Sequence, residues 1–147
     1  MSELRGLYQE VILDHSKNPR NHVELPTANR KADGHNPLCG DKITVYLRVK
    51  EDVIEELSFL GVGCAISTAS ASLMTESLRG KTLSEAAQLF EDFHSLATGK
   101  GGEESKLGRL VVFQGVSEFP VRVKCATLAW HTLHAAIVGK QPSVTTE

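Results

Sequence analysis

Residues 43–50 alternate without a break: Ile43, Val45, Leu47 and Val49 take one side, Thr44, Tyr46, Arg48 and Lys50 the other. That period of two is the mark of a strand with one face buried. Glu51-Asp52 then turns the chain into a second strand over residues 53–61, and the pair reads as an antiparallel hairpin. The apolar face of this hairpin has to be covered, and the flanking sequence supplies helices to do it. Leu4, Leu7, Tyr8, Val11 and Ile12 form a helical stripe over residues 3–15, stopped by Asn18-Pro19. A polar connector follows to residue 36, with a weak edge strand expected near 30–33.

After Gly61-Val62-Gly63 a helix is expected over 64–78, with Ile66, Ala69 and Leu73 inward and Gly80 just past its end. Thr82 and Glu85 have capping-box spacing ahead of Leu83, Ala86, Ala87, Phe90, Phe93 and Leu96. Residues 98–105 form a glycine-rich loop that lacks the phosphate-loop pattern. A short helix is expected over 107–116. A last helix runs from just after Pro120 to Val138, with Val123, Trp130, Leu133 and Ile137 on its apolar stripe. The order is helix, small antiparallel sheet of about three strands, then helices. It predicts an α+β domain with the helices packed on one face, occupying residues 1–140, with 141–147 a flexible tail.

Three cysteines punctuate this plan. Cys39 lies in Asn36-Pro37-Leu38-Cys39-Gly40-Asp41, a turn before a strand, where Gly40 permits a sharp bend. Cys64 follows Gly61-Val62-Gly63 at a helix start, and Cys125 is expected in or near the first turn of the last helix. Helix N-termini lower thiol pKa, and the thiolate is both nucleophile and metal ligand. Arg122 and Lys124 add positive charge beside Cys125. Three thiolates with the Asp41 carboxylate would make a four-donor set suited to a tetrahedral ion. The carboxylate is the harder donor and the natural one to let go. Spacing alone leaves the alternative open, since there is no C-x-x-C pair and free cysteines are often simply buried.

At these segments the sequence resembles the U-type iron–sulfur assembly family, comprising IscU, the N-terminal domain of NifU, and SufU. The resemblance spans residues 7–139. It is carried by Asp14-His15-Ser16-Lys17-Asn18-Pro19-Arg20-Asn21, by residues 36–41, by Gly63-Cys64-Ala65-Ile66-Ser67, and by residues 122–130. Lys124 stands where IscU-type chains have histidine before the third cysteine. Phe119-Pro120-Val121-Arg122-Val123 replaces the LPPVK segment read by a dedicated chaperone. Extra sequence around 99–115 separates the second and third cysteines, and on all three counts the chain is similar to SufU.

The resemblance implies an IscU/SufU-like fold and metal binding by Cys39, Asp41, Cys64 and Cys125. The metal would normally be zinc, alternatively iron or a [2Fe-2S] cluster. It implies a SufS-type cysteine desulfurase as partner, with Cys39 accepting persulfide sulfur and passing it to downstream iron–sulfur assembly proteins. Arg122 and Lys124 are expected to tune Cys125 or to meet the desulfurase. The activity implied is that of a zinc-dependent sulfurtransferase. The alternatives are a scaffold for a labile [2Fe-2S] cluster, and a non-catalytic zinc adaptor.

Other features exclude or assign less. A net charge of -2 and a pI near 6.3 lack the basic excess of a nucleic-acid-binding domain. No apolar run is long enough for a membrane span. The start of the chain lacks a signal-peptide h-region, so a cytoplasmic location with reduced thiols is expected. His15 is expected as a cation at a helix C-terminus, and His35 as a loop residue within reach of Cys39. His22, His94, His131 and His134 are expected at the surface or core edge, Trp130 in the core, and serines 67–72 in close helix packing.

Overall fold

In a computed structural model, the structure describes residues 2–37, 39–100, 107–138 and 143–145. Helix α1 (Ser2–Lys17) leads into the connector and then into three antiparallel strands: β1 (Arg30–Asn36), β2 (Asp41–Lys50) and β3 (Val53–Val62). Helices α2 (Ala65–Leu78) and α3 (Leu83–Ala97), a 3-10 helix (Gly108–Glu118) and helix α4 (Pro120–Val138) follow. A short strand β4 (Ser143–Thr145) closes the sheet in the order β3-β2-β1-β4, parallel to β1. The expectation of about three antiparallel strands with helices gathered on one face holds. The edge strand extends past the expected residues 30–33 to Asn36. Ser143–Thr145, inside the segment expected to be a flexible tail, pairs with Asp33, Gly34 and His35 instead. The rest of that tail, residues 141, 142, 146 and 147, and most of the 98–105 loop lie outside the described residues.

The β2–β3 turn places both Glu51 (φ 51°) and Asp52 (φ 63°) in the left-handed region, as a two-residue hairpin turn of matching twist requires. Ile43, Val45 and Leu47 then face α2 and α4, joined by Ile54, Leu57 and Phe59 of β3. Tyr46 points to the opposite face yet is buried, with Lys31 Nζ 5.6 Å from its ring centroid; alternation alone had placed it outward. Trp130 is fully buried and stacks on Phe93 at 4.5 Å between centroids, so the core role read from its stripe holds. Gly34 lets α4 lie close on β1, because a Cβ there would run into the Thr132 hydroxyl.

The serine-rich α2 is a packing and hydrogen-bonding face. Ser70 Oγ donates to the Ala126 carbonyl and accepts from Trp130 Nε1 at 3.1 Å. Ser72 Oγ accepts the Arg20 amide at 2.8 Å and meets His15 Nδ1 at 2.7 Å. His15, expected as a cation at a helix C-terminus, is fully buried. Burial is the main cause holding its pKa below the ordinary histidine value. Nε2 of the ring has no hydrogen-bond partner among the described residues and lies 3.6 Å from Glu76 Oε1.

Candidate metal centre

Asn36 and Asp41 are the pair that closes the β1–β2 hairpin, directly opposite each other. Residues alternate across β1, so Asn36 is buried while its neighbour His35 faces the other side and is exposed. His35 consequently stands away from the site. Asp41, the first residue of β2, is also on the buried face and has no exposure. The two-way turn that projects Cys39 outward depends on Gly40, whose φ of +71° suits glycine.

The second segment arrives from β3. Cys64 is the N-cap of α2, extended at φ -72° and ψ 168°, and its Sγ accepts from Ser67 N at 3.4 Å. The Cys64 amide donates to Asp41 Oδ1 at 2.8 Å. Gly63 makes that approach possible, since a Cβ there would stand 2.5 Å from the same oxygen.

The third comes from α4. Cys125 is its sixth residue, in the second turn, and is buried. That is just past the first turn, where the sequence expects it in or near that turn. The helix dipole acts mainly within the first turn, and here burial dominates, pushing the Cys125 thiol far up. Hydrogen bonding with Cys39 and Cys64 pushes it the same way. Arg122 is exposed and lays its guanidinium 4.5 Å from the Phe119 ring centroid. Lys124 is half-buried. Among the described residues no hydrogen bond or ion pair joins either cation to a thiol.

The three segments converge. Cys125 Sγ lies 3.2 Å from Cys39 Sγ, and ligand atoms of Cys39, Asp41 and Cys125 all fall within 4.8 Å of one another. Cys64 Sγ, 4.0 Å from Asp41 Oδ2, stands at the edge of that set. Asp41 is a fully buried carboxylate held by neutral donors, the Cys64 amide and Asn36 Nδ2 at 3.2 Å. It takes part in none of the ion pairs found among the described residues. An uncompensated buried charge is costly, whereas one that ligates a cation is not. Soft thiols beside this carboxylate therefore fit a divalent metal ion that prefers sulfur-rich, four-coordinate surroundings.

The geometry agrees with what comparison shows. Residues 7–126 match the family described as the NifU-like N terminal domain. The chain belongs to that family. It is 40% identical to the zinc-dependent sulfurtransferase SufU of Bacillus subtilis (strain 168), covering 95% of each protein. It is 42% identical to the iron–sulfur cluster assembly scaffold protein IscU of Streptococcus pyogenes serotype M1, over 93% of this chain and 86% of that protein. Among solved structures it superposes on FiSufU, a candidate scaffold for the SUF system of Fervidobacterium islandicum AW-1. That match has a TM-score of 0.84 and 38% identity, over 87% of this chain and 94% of the other.

Two contributors to the site escaped the sequence reading. Asn36 was seen only as the start of a motif. Its amide donates to Asp41 Oδ2 at 3.2 Å and to Cys125 Sγ at 3.5 Å. The signal was present in the hairpin, because the residues that bracket a tight turn end up facing each other. Gly63 was read as allowing close approach, without the Asp41 carboxylate as the group approached.

Proposed function

We propose that this protein serves iron–sulfur cluster assembly as a zinc-bound sulfur acceptor. It takes persulfide sulfur from a SufS-type cysteine desulfurase onto Cys39 and hands it to downstream assembly proteins. The observation that carries the reading is the division of exposure within the cluster. Cys39 is open to solvent, while Asp41 and Cys125 behind it are buried. Cys64 is partly exposed at the edge of the set, so Cys39 is the most open of the three sulfurs and the one a partner meets first.

Cys39, Asp41, Cys64 and Cys125 would hold the zinc, and the bound ion supplies the charge that keeps thiols deprotonated at neutral pH. The transfer itself belongs to Cys39. Its thiolate attacks the outer sulfur of the partner's persulfide, a new S–S bond forms on Cys39, and the partner's cysteine leaves as thiolate. No net oxidation occurs. Asp41 is the donor most readily exchanged, being a carboxylate among thiolates. Exposed apolar side chains occur in the segments that carry the ligands: Val62 ahead of Cys64, and Phe119 and Val121 ahead of Cys125. They offer contact area to a docking protein, and Arg122 and Lys124 stand on the same stretch to meet an acidic partner surface.

The test is alanine release by a SufS-type desulfurase, with zinc-loaded protein and with Cys39→Ala in parallel. Stimulation that disappears in the variant supports transfer. Absence of stimulation by the zinc form would refute it. The scaffold reading, a labile [2Fe-2S] cluster built and donated here, is favoured by one observation. The relative named IscU, at 42% identity, is described as a scaffold. Iron-dependent cluster absorbance that needs all three cysteines would support that reading.

A further inference from the structure

Asn36 is fully buried, and its two side-chain ends are treated differently. Nδ2 reaches Asp41 Oδ2 at 3.2 Å and Cys125 Sγ at 3.5 Å, while Oδ1 has no partner among the described residues. Turning the amide over would set Oδ1 against the carboxylate and the sulfur, acceptor against acceptors. The carbonyl is thus left without a partner among the described residues so that the NH₂ can face the two acceptors. A carboxamide is suited to that position because it offers N–H bonds without charge. Lysine or arginine there would neutralise Asp41 and compete with a metal ion for it. Threading the second bond of Asp41, the Cys64 amide holds Oδ1 at 2.8 Å. One carboxylate oxygen is therefore restrained from the end of β1 and the other from the N-cap of α2.

The geometry points to Asn36 as a positioning residue for the metal centre, holding the Asp41 carboxylate in place and tying it to Cys125. The inference rests on the proposed metal reading and adds a role for a residue that is not itself a ligand. Partners that orient metal ligands commonly contribute about 10–100-fold to affinity. The effect of Asn36 should pass chiefly through Asp41, because the contact with Cys125 is the longer of the two.

The experiment is cobalt(II) binding to the full chain under reducing conditions. It is read by thiolate-to-cobalt absorbance and by competition with a chelator of known affinity. The unchanged chain, Asn36→Ala, Asp41→Ala and the double variant are compared. Asn36→Ala is expected to weaken cobalt binding by about 10–100-fold in the unchanged background. In the Asp41→Ala background the same change should cost only about twofold, the ordinary scatter between uncoupled sites. Equal losses in both backgrounds, or no loss in either, would overturn the role. Asn36→Leu, of similar shape but without the amide, repeats the cycle should the alanine variant fail to fold. If the unchanged chain itself shows no thiolate-to-cobalt band, the metal reading fails as well. If the band is present and Asn36 is silent, only this inference falls.

Discussion

Gly63→Ala tests the packing that brings the hairpin and α2 together. The added Cβ would stand 2.5 Å from Asp41 Oδ1, 3.1 Å from Asp41 Cγ and 3.2 Å from Asp41 Cβ. Separations this short require a movement of about 0.5 Å or more. Asp41 has little freedom to provide it. It is fully buried, and both oxygens are held, one by the Cys64 amide at 2.8 Å and one by Asn36 at 3.2 Å. Two costs follow. Overpacking a buried site costs about 1–3 kcal/mol. A stretched hydrogen bond to a charged group forfeits part of its roughly 1.5–3 kcal/mol. The metal-free chain should lose about 2–4 kcal/mol of stability, or roughly 5–15 °C in melting temperature for a chain of this length. The assay is urea unfolding of the metal-free, reduced protein followed by circular dichroism. Gly115→Ala is the control, since nothing lies within 4 Å of a Cβ there; it should fall within about 0.5 kcal/mol of the parent. A Gly63→Ala midpoint equal to that of the control would refute the reasoning. Asp41→Ala in the same chain should recover part of the loss, because it removes the atoms in the way.

Three further outcomes are expected. The folded state holds His15 below its ordinary pKa, first through burial and then through the Arg20 charge, so the unfolded chain binds more protons as pH falls through the range near 6.5. Stability should therefore be complete above that range and fall below it. His15→Gln should flatten the dependence of the urea midpoint between pH 8 and 5, and an unchanged slope would contradict the assignment. His131, lowered in the same direction by burial and by His94 and His134, leaves a residual slope. Gly34→Ala should cost about 1–3 kcal/mol by forcing α4 away from β1, and Thr132→Ala beside it should restore part of that in thermal melts. The Thr82 hydroxyl accepts the Glu85 amide at 3.0 Å while Glu85 returns a bond to the Thr82 amide. Thr82→Ala should thus lower stability by about 1 kcal/mol, and no shift in the urea midpoint would deny the cap its role.

Much of the fold was legible because it is encoded locally. The alternation over residues 43–50 became β2, Glu51-Asp52 became its turn, and Cys64 and Thr82 became N-caps. The misreadings share another cause. His15 sits at the end of a helix by sequence, but α2 packs over it and supplies Ser72. Tyr46 is on the polar side of its strand by alternation, and burial on that face depends on what crosses it. The lowering of the Cys125 pKa expected from a nearby helix start is outweighed by desolvation, because the side chain is buried once α4 packs. β4 consists of three residues with no pattern of their own, and β1 provides their register.

Sequence by itself determined α1, the β2–β3 hairpin, the helices α2, α3 and α4, their order, and the residue types that carry the chemistry. Side-chain periodicity and turn chemistry act over a few neighbouring residues, and they need no knowledge of the rest of the chain. Only the tertiary structure decided which atoms meet. Residues 39, 64 and 125 come from a hairpin turn, a helix cap and the second turn of another helix. Their approach depends on strand register and on how closely α2 and α4 lie against the sheet. The same packing turned Asn36 from a residue in a motif into the amide that faces Asp41 and Cys125, because hydrogen-bond partners are settled by three-dimensional position and not by sequence distance.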